Sequence, residues 1–355
     1  MDNNKRYNFF VLISTLARNI TEVFSSVLLY KMGYSIRDIL IFFCILYFIG
    51  SIVCSITLFL IGKVNVKYLL IISSIFFSIS FYYMSIMNKT VINLTIFSVL
   101  FSVSSYSYHS IRHYLAIKLV NKNIRNNVGY IIIYMNIAVI ISSFISGYVE
   151  SITSTVVLSI IVVIISIISI IPIIRLDITE EDNRIINNKI NIRKQIFFIF
   201  EQGKTIFLSL EPLFIFLFIE ESIRYVGIIS SIIGVASCIF TYFFAKKVDD
   251  KKYFKYFNLF FCFVLILKLN IFNKYIMLII VFMEGLLIKM YDVVSMNNLY
   301  DIKKDTNIKG YLIKCEIIFC FVRGILCLIF IFIGDIKIMM YILIGFIAIS
   351  GIVKR

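Results

Sequence analysis

Twelve apolar stretches, each near the length that crosses a bilayer, are strung along 355 residues with short polar joins between them. A hydrocarbon core about 30 Å thick takes about 20 apolar residues per helix. Within it no water is present to bond the backbone, so each segment must satisfy its own N–H and C=O groups, as a helix does. The stretches fall at 8–30, 38–61, 68–87, 91–117, 128–149, 153–174, 204–220, 226–245, 256–273, 275–297, 310–333 and 337–353. They are continuous rather than alternating, which argues against a transmembrane barrel. The expected fold class is therefore all-α, a polytopic membrane protein with twelve transmembrane helices. Only 15% of the residues are charged, against about 25% in a soluble domain, and no soluble domain of ordinary size fits beside the spans.

The first apolar run follows Lys5 and Arg6, as the core of a signal peptide would. It is too long for one, carries Arg18 and Glu22, and lacks a small-x-small cleavage site, so it reads as the first span. The formal charge of +15 is better explained by the bilayer than by nucleic acid. Placing the N-terminus in the cytoplasm puts most lysines and arginines, from Lys63, Lys67 and Lys118 to Arg175, Arg193 and Lys304, on that side. The opposite side receives only Lys31, Arg37, Lys89, Arg224, Lys268, Lys274 and Lys337. Cytoplasmic loops of membrane proteins carry this excess, so the expected location is the cytoplasmic membrane, multi-pass, with both termini inside. A nucleic-acid surface would need a concentrated patch with base-reading groups, and none is present in the sequence.

Cys44, Cys54, Cys238, Cys262, Cys315, Cys320 and Cys327 all fall within spans, with no CxxC pair and no histidine at ligand spacing. They read as packing residues, small and apolar. His109 and His113 flank Arg112 at a spacing that two metal ligands can use, but no acidic or cysteine partner is near in sequence. No metal and no cofactor is assigned.

One segment breaks the rhythm. Residues 175–195, RLDITEEDNRIINNKINIRKQ, are strongly polar and have six spans on either side. The chain divides into an N-terminal six-helix bundle at 1–174, a cytoplasmic linker at 175–195 and a C-terminal six-helix bundle at 196–355. Such a plan suggests an internal repeat. The second span ends TLFLIGKVNVK, from Thr57 to Lys67, and the eighth ends TYFFAKKVDDK, from Thr241 to Lys251. Lys63-Val64-Asn65 thus stands opposite Lys247-Val248-Asp249.

These two basic loops, the central linker and the exit from span four, RHYLAIKLVNKNIRNNVG from Arg112 to Gly129, resemble the major facilitator superfamily. Its hallmark is a GxxxD(R/K)xGR(R/K)-like loop after span two, echoed after span eight. The resemblance implies two pseudo-symmetric halves, a central cavity lined by spans one, four, seven and ten, and gating loops holding Lys63, Asn65 and Lys67 in one half and Lys247, Asp249 and Lys251 in the other. The first loop departs from the family pattern, since Asn65 or Gly62 stands where the family has an aspartate. The fifth span lacks the GxxxGPxxGG pattern of drug and proton antiporters, which weighs against efflux antiport.

Ionisable residues inside spans cost several kcal/mol by insertion scales and so face a bundle interior or a water-filled cavity. Here they gather in span one (Arg18, Glu22), span four (Arg112, with His109 and His113), span seven (Lys204, Glu211), span ten (Glu284, Lys289, Asp292) and span eleven (Lys314, Glu316, Arg323), while Lys268 sits near the end of span nine. Arg18, Glu22, His109, Arg112, Glu284, Asp292, Glu316 and Arg323 are the candidates for substrate binding or proton coupling. Arg18 and Glu22 share a helix face, as a neutralising salt bridge or a binding pair. Glu284, the most isolated carboxylate, is expected either to exchange protons or to bridge to Arg18 or Arg323. Glu316 and Arg323 are expected to pair helices. Arg18, Glu22, Glu284 and Arg323 are expected to converge on one aqueous cavity. Pro212, after Glu211, is the mid-span proline and favours a kink.

The function these features support is secondary transport of a small solute by alternating access, with protons as the candidate coupling ion and a monomer as the working unit. It is not an enzyme, and no G-x-x-x-x-G-K-[ST] loop for ATP is present. Two alternatives are a polytopic membrane acyltransferase, resting on the HSIRH cluster at 109–113, and a lipid-linked glycan flippase. The topology is testable directly. Single cysteines at Asn88 and Asn187 should react with an impermeant thiol reagent from opposite faces, and reaction of both from one face contradicts the twelve-span arrangement.

Overall fold

The computed structural model describes residues 3–119, 124–175, 190–244, 254–300 and 307–353. These form thirteen helices: α1 (Asn3–Glu22), α2 (Ser25–Lys31), α3 (Ile36–Leu60), α4 (Val66–Ile86), α5 (Val91–Leu119), α6 (Ile124–Ile152), α7 (Thr155–Ile174), α8 (Ile192–Phe218), α9 (Ile223–Phe244), α10 (Phe254–Asn270), α11 (Lys274–Tyr300), α12 (Ile308–Ile333) and α13 (Ile336–Val353). The thirteenth arises because the first expected span is two helices. The ladder is interrupted between Glu22 and Ser25, where the Ser25 hydroxyl donates to the Glu22 carbonyl at 3.2 Å and Val23 N–H reaches Asn19 O at a stretched 3.4 Å. The seventh span begins twelve residues earlier than its apolar run, at Ile192.

Local chemistry fixes the helix ends. Ser35 and Asp38 form a capping box at the start of α3, with Asp38 N–H donating to Ser35 Oγ at 3.2 Å and Ser35 N–H donating to Asp38 Oδ2 at 2.9 Å. Gly62, at φ +93°, makes the turn out of α3 that a side chain would strain, and Asn307 caps α12 through Gly310 N–H at 3.0 Å.

Among the described residues nine segments are long and apolar enough to cross a membrane, α1 and α2 counting as one. The chain is a multi-pass membrane protein. The helices that fall short are α8, α10 and α11, and these carry Glu201, Lys204, Glu211, Lys268, Glu284 and Asp292. Elsewhere the outer surface is apolar at helical spacing. On α4, Tyr68, Ile72, Ile75, Ile79, Tyr82 and Ile86 are all exposed, a stripe that lipid covers.

The packing repeats. In the first half α1 packs on α6 and α7, α3 on α5, and α4 on α5 and α7. In the second, α8 packs on α12 and α13, α9 on α11, and α10 on α11 and α13. Across the halves α6 packs on α9 and α3 on α12, and each is the other's counterpart under exchange of halves. The α6–α9 seam depends on backbones in close approach. A first side-chain carbon at Gly227 would stand 2.6 Å from the Ser143 carbonyl oxygen, and one at Gly147 would stand 3.0 Å from Gly227 Cα. Gly227→Val should therefore lower the melting temperature of the purified protein by the equivalent of about 1–3 kcal/mol, as overpacking does. Gly345→Ala, where an added carbon meets nothing within 4 Å, should not. Equal melting for both would show that the seam yields without cost.

Candidate functional site

A cavity of about 370 Å³ lies between the halves. Its wall comes from α1 (Glu22), α3 (Phe43, Tyr47), α5 (Ser105, Tyr106, His109, Arg112, His113), α8 (Glu201, Gln202, Lys204, Thr205, Ser209), α11 (Asp292, Ser295) and α12 (Glu316, Phe319, Arg323). A second chamber, about 400 Å³, shares Glu22, Lys204, Thr205, Ser209 and Asp292 with it and extends to Asn19, Asn136 and Ser237. The two are lobes of one polar space.

Nearly every charge on this wall is held by another group on it. Lys204 pairs with Asp292, which also accepts from Lys289 at 2.9 Å. Ser295 donates to Glu201, and Arg323 Nε donates to Gln202 Oε1 at 2.7 Å. Across the space Glu22 Oε1 stands 3.8 Å from His109 Nε2 and accepts from Ser105 at 3.4 Å. His113 Nε2 is 3.9 Å from Glu316 Oε1, and its Nδ1 shares a hydrogen bond of 2.9 Å with the Tyr300 hydroxyl of the other half. Both signs of charge are present and balanced at short range, and aromatic faces, among them the stacked Phe43 and Tyr47, lie beside them.

Glu22, His109, Arg112, Asp292, Glu316 and Arg323, singled out from the sequence, are thus brought together. Arg18 and Glu284 are not. Arg18 makes no ion pair with Glu22. It is 2% exposed, donates to Ser73 Oγ at 2.8 Å, and its guanidinium lies over the rings of Tyr108 and Phe77 at 4.2 and 4.6 Å. The ring faces supply what a carboxylate would. Glu284 is wholly buried and bridges neither Arg18 nor Arg323. It accepts from Lys268 Nζ at 2.5 Å, and Lys268 also pairs with Glu211. Lys268 does stand near the end of its helix, yet it is 0% exposed. Two carboxylates on α8 and α11 draw it inward, because an ammonium between them is cheaper in hydrocarbon than any of the three alone. Glu316 and Arg323 face one cavity without pairing directly.

Glu201, Gln202, Thr205, Ser209 and Ser295 line the cavity and were not singled out from the sequence. The signal was available on α8, where Phe197, Phe198, Glu201, Gln202, Thr205 and Ser209 recur at helical spacing, upstream of the apolar run or at its start.

At the basic loop after α3, Asn65 is a helix cap, accepting from Lys67 N–H at 3.0 Å, and Lys63 lies over the Phe59 ring at 3.7 Å. The tie to the other half is made by Lys309 of α12, which is buried and donates to the Ile61 carbonyl at 2.5 Å. A cation there also complements the negative end of α3. Lys247, Asp249 and Lys251 lie outside the described residues. At the other end of the cavity Ser26 donates to the Ser209 carbonyl at 3.4 Å and Tyr30 meets Phe216 edge-on. Contacts between halves therefore bound the space on both sides.

No family model matches the chain, and no curated protein matches it in sequence. Solved structures do. A point mutant of the nucleoside transporter NupG is similar at a TM-score of 0.72 and 11% identity, over 99% of this chain and 99% of that one. A second crystal structure of NupG is similar at 0.67 and 11%, over 100% and 98%. The chain has the major facilitator fold. In that fold α1 and α2 together, α5, α8 and α11 stand at spans one, four, seven and ten, and each contributes to the cavity wall.

Removing one member of the buried triad should be severe. Lys268→Met leaves Glu211 and Glu284 uncompensated and should destabilise the protein by about 3–5 kcal/mol, and adding Glu211→Gln and Glu284→Gln to it should recover most of the loss. Wild-type melting for Lys268→Met would show that the triad does not hold α8, α10 and α11 together.

Proposed function

We propose that this protein is a secondary transporter that moves a small polar solute across the cytoplasmic membrane by alternating access, working as a monomer with both termini in the cytoplasm. The observation that carries this is the polar cavity between the halves, with contacts across the halves at both ends and most of its charged groups bonded to other side chains of its wall. The wall sets the carboxylates Glu22, Glu201, Asp292 and Glu316 against Arg112, Lys204 and Arg323, so neither sign is in large excess for a strongly ionic solute. It suits a neutral or zwitterionic one that donates and accepts several hydrogen bonds and presents a flat face to Phe43, Tyr47 and Tyr106. A nucleoside has those properties, and the similarity to NupG in fold makes nucleosides the first compounds to test. Acyl transfer is less well supported, because His109 and His113 of the HSIRH cluster are engaged by Glu22, Glu316 and Tyr300.

Proton coupling fits the Glu22–His109 pair better than Glu284. Both members of that pair face the cavity, and imidazole changes charge near neutral pH, whereas Glu284 is wholly buried and lines neither lobe. Asp292, held by two lysines, positions Lys204 on the wall.

Uptake of a panel of radiolabelled nucleosides, amino acids and sugars into proteoliposomes, with and without an imposed pH gradient, tests the proposal. Accumulation of one class above equilibrium is expected. Glu22→Gln should abolish gradient-driven accumulation and leave exchange, while Glu284→Gln should lower stability and leave coupling. Asp292→Asn should reduce uptake about tenfold or more, as loss of a charge-assisted hydrogen bond of about 1.5–3 kcal/mol does. No flux of any class through well-folded protein would overturn the transporter assignment.

A further inference from the structure

The seam of α3 and α12 holds a cluster whose two thiols lie outside the cavity wall. Cys54 of α3 and Glu316 and Cys320 of α12 bring one ligand atom each to within 4.8 Å of one another, and all three side chains are buried. Cys54 Sγ lies 3.9 Å from Glu316 Oε2. The other oxygen, Oε1, is buried with no hydrogen-bond partner, on a side chain 5% exposed, and it faces His113 Nε2 at 3.9 Å. In sequence these residues are far apart, and only the packing of the halves assembles them.

We propose that Cys54, Cys320, Glu316 and His113 form a binding site for a thiophilic divalent cation, with Zn2+ as the best fit. Two sulfurs, a carboxylate oxygen and an imidazole nitrogen are a tetrahedral zinc donor set. Zinc–sulfur bonds of about 2.3 Å require the ligand atoms of Cys54, Cys320 and Glu316 to close by roughly an ångström, and His113 Nε2, 3.9 Å from Glu316 Oε1, to turn toward the thiols, movements that side-chain rotation supplies. His113 is already oriented for it. With Nδ1–H donated to the Tyr300 hydroxyl, its Nε2 lone pair is left for the ion, the arrangement that metal-binding histidines use. The charge balance also holds. Thiols give up their protons when they ligate, so one divalent ion enters as two protons leave, and the buried site keeps the single negative charge that Glu316 gives it. Entry is open from the central cavity, whose wall includes Glu316 and His113. Arg323, two turns along α12, is held by Gln202 at 2.7 Å and makes no ion pair with Glu316, whose neighbours are the proposed co-ligands Cys54 and His113.

Cys54 and His113 belong to the first half, and Glu316 and Cys320 to the second. A bound ion therefore ties α3 and α5 to α12. Resting on the alternating-access reading above, this makes the ion an inhibitor that clamps one state.

Cadmium titration of the purified full-length protein, reduced and stripped of metal, tests the site. The ultraviolet thiolate-to-cadmium charge-transfer band should saturate at one ion per chain, and Zn2+ should displace it. Cys54→Ser or Cys320→Ser should abolish the band, and Glu316→Gln should weaken binding about 10–100-fold, the scale of a lost metal-site contact. Cys262→Ser, whose thiol is turned to the Ile344 carbonyl at 3.8 Å, should change nothing. In the unaltered protein Zn2+ should also protect Cys54 and Cys320, and not Cys262, from alkylation as read by mass spectrometry, which keeps the test independent of how the variants fold. No band, a band indifferent to Cys54 and Cys320, or no protection overturns the site. These readouts do not depend on transport. Zn2+ should further inhibit uptake in wild type and not in Cys54→Ser, and binding without inhibition would overturn the clamp alone.

Discussion

An ion left alone in hydrocarbon costs several kcal/mol, and the arrangement of helices in this chain follows from how that cost is avoided. Three devices are at work. Lys268 stands between Glu211 and Glu284, so that α8, α10 and α11 are joined through a buried triad. Arg18 is laid on the faces of Phe77 and Tyr108 and bonded to Ser73, which fixes α1 against α4 and α5. Other charges of these helices turn to the central space, where Glu22, Glu201, Lys204, Asp292, Glu316 and Arg323 line one cavity. The helices too polar to pass for membrane spans by composition are α8, α10 and α11, and the buried triad joins all three.

Among the described residues the halves meet most extensively along two seams, α6 with α9 and α3 with α12. The first is smooth, built where Gly147, Gly227 and Gly234 let backbones approach. The second is decorated, with Lys309 reaching the end of α3 at one extreme and Cys54, Cys320 and Glu316 clustered within. In the transport cycle proposed above, the small residues would permit rotation of one half against the other about the cavity, and the polar ties at α3 and α12 would bias which orientation is preferred. A cation held by that cluster would act on the balance between orientations from the edge of the solute cavity, whose wall Glu316 and His113 also line.

Most of the fold was legible in the sequence because the bilayer leaves few choices. Apolar length located the spans, though not the break between α1 and α2 or the polar start of α8, and the repeated basic loops suggested the two-half plan. The cavity was legible in part. Charges in spans one, four, seven, ten and eleven pointed inward, and Glu22, His109, Arg112, Asp292, Glu316 and Arg323 do face one space. Partner identity was not legible, because Lys268 is 57 and 16 residues from the groups it joins and only helix packing decides between them and Arg18 or Arg323. Glu201 and Gln202 were missed for a simpler reason. Hydropathy places a span where apolar residues dominate, and the first turns of α8 are helical but polar on the face that lines the cavity.

The central claim is that the halves move reciprocally about the polar space. Spin–spin distances measured by pulsed electron resonance address it directly, with one label pair at Asn88 and Asn273 on the side away from the termini and another at Tyr68 and Arg193 on the side of the termini. With addition of the transported solute or a change of pH, the account predicts that the first distance shortens as the second lengthens, or the reverse. Distances on both sides that stay single and unmoved under every condition would contradict it.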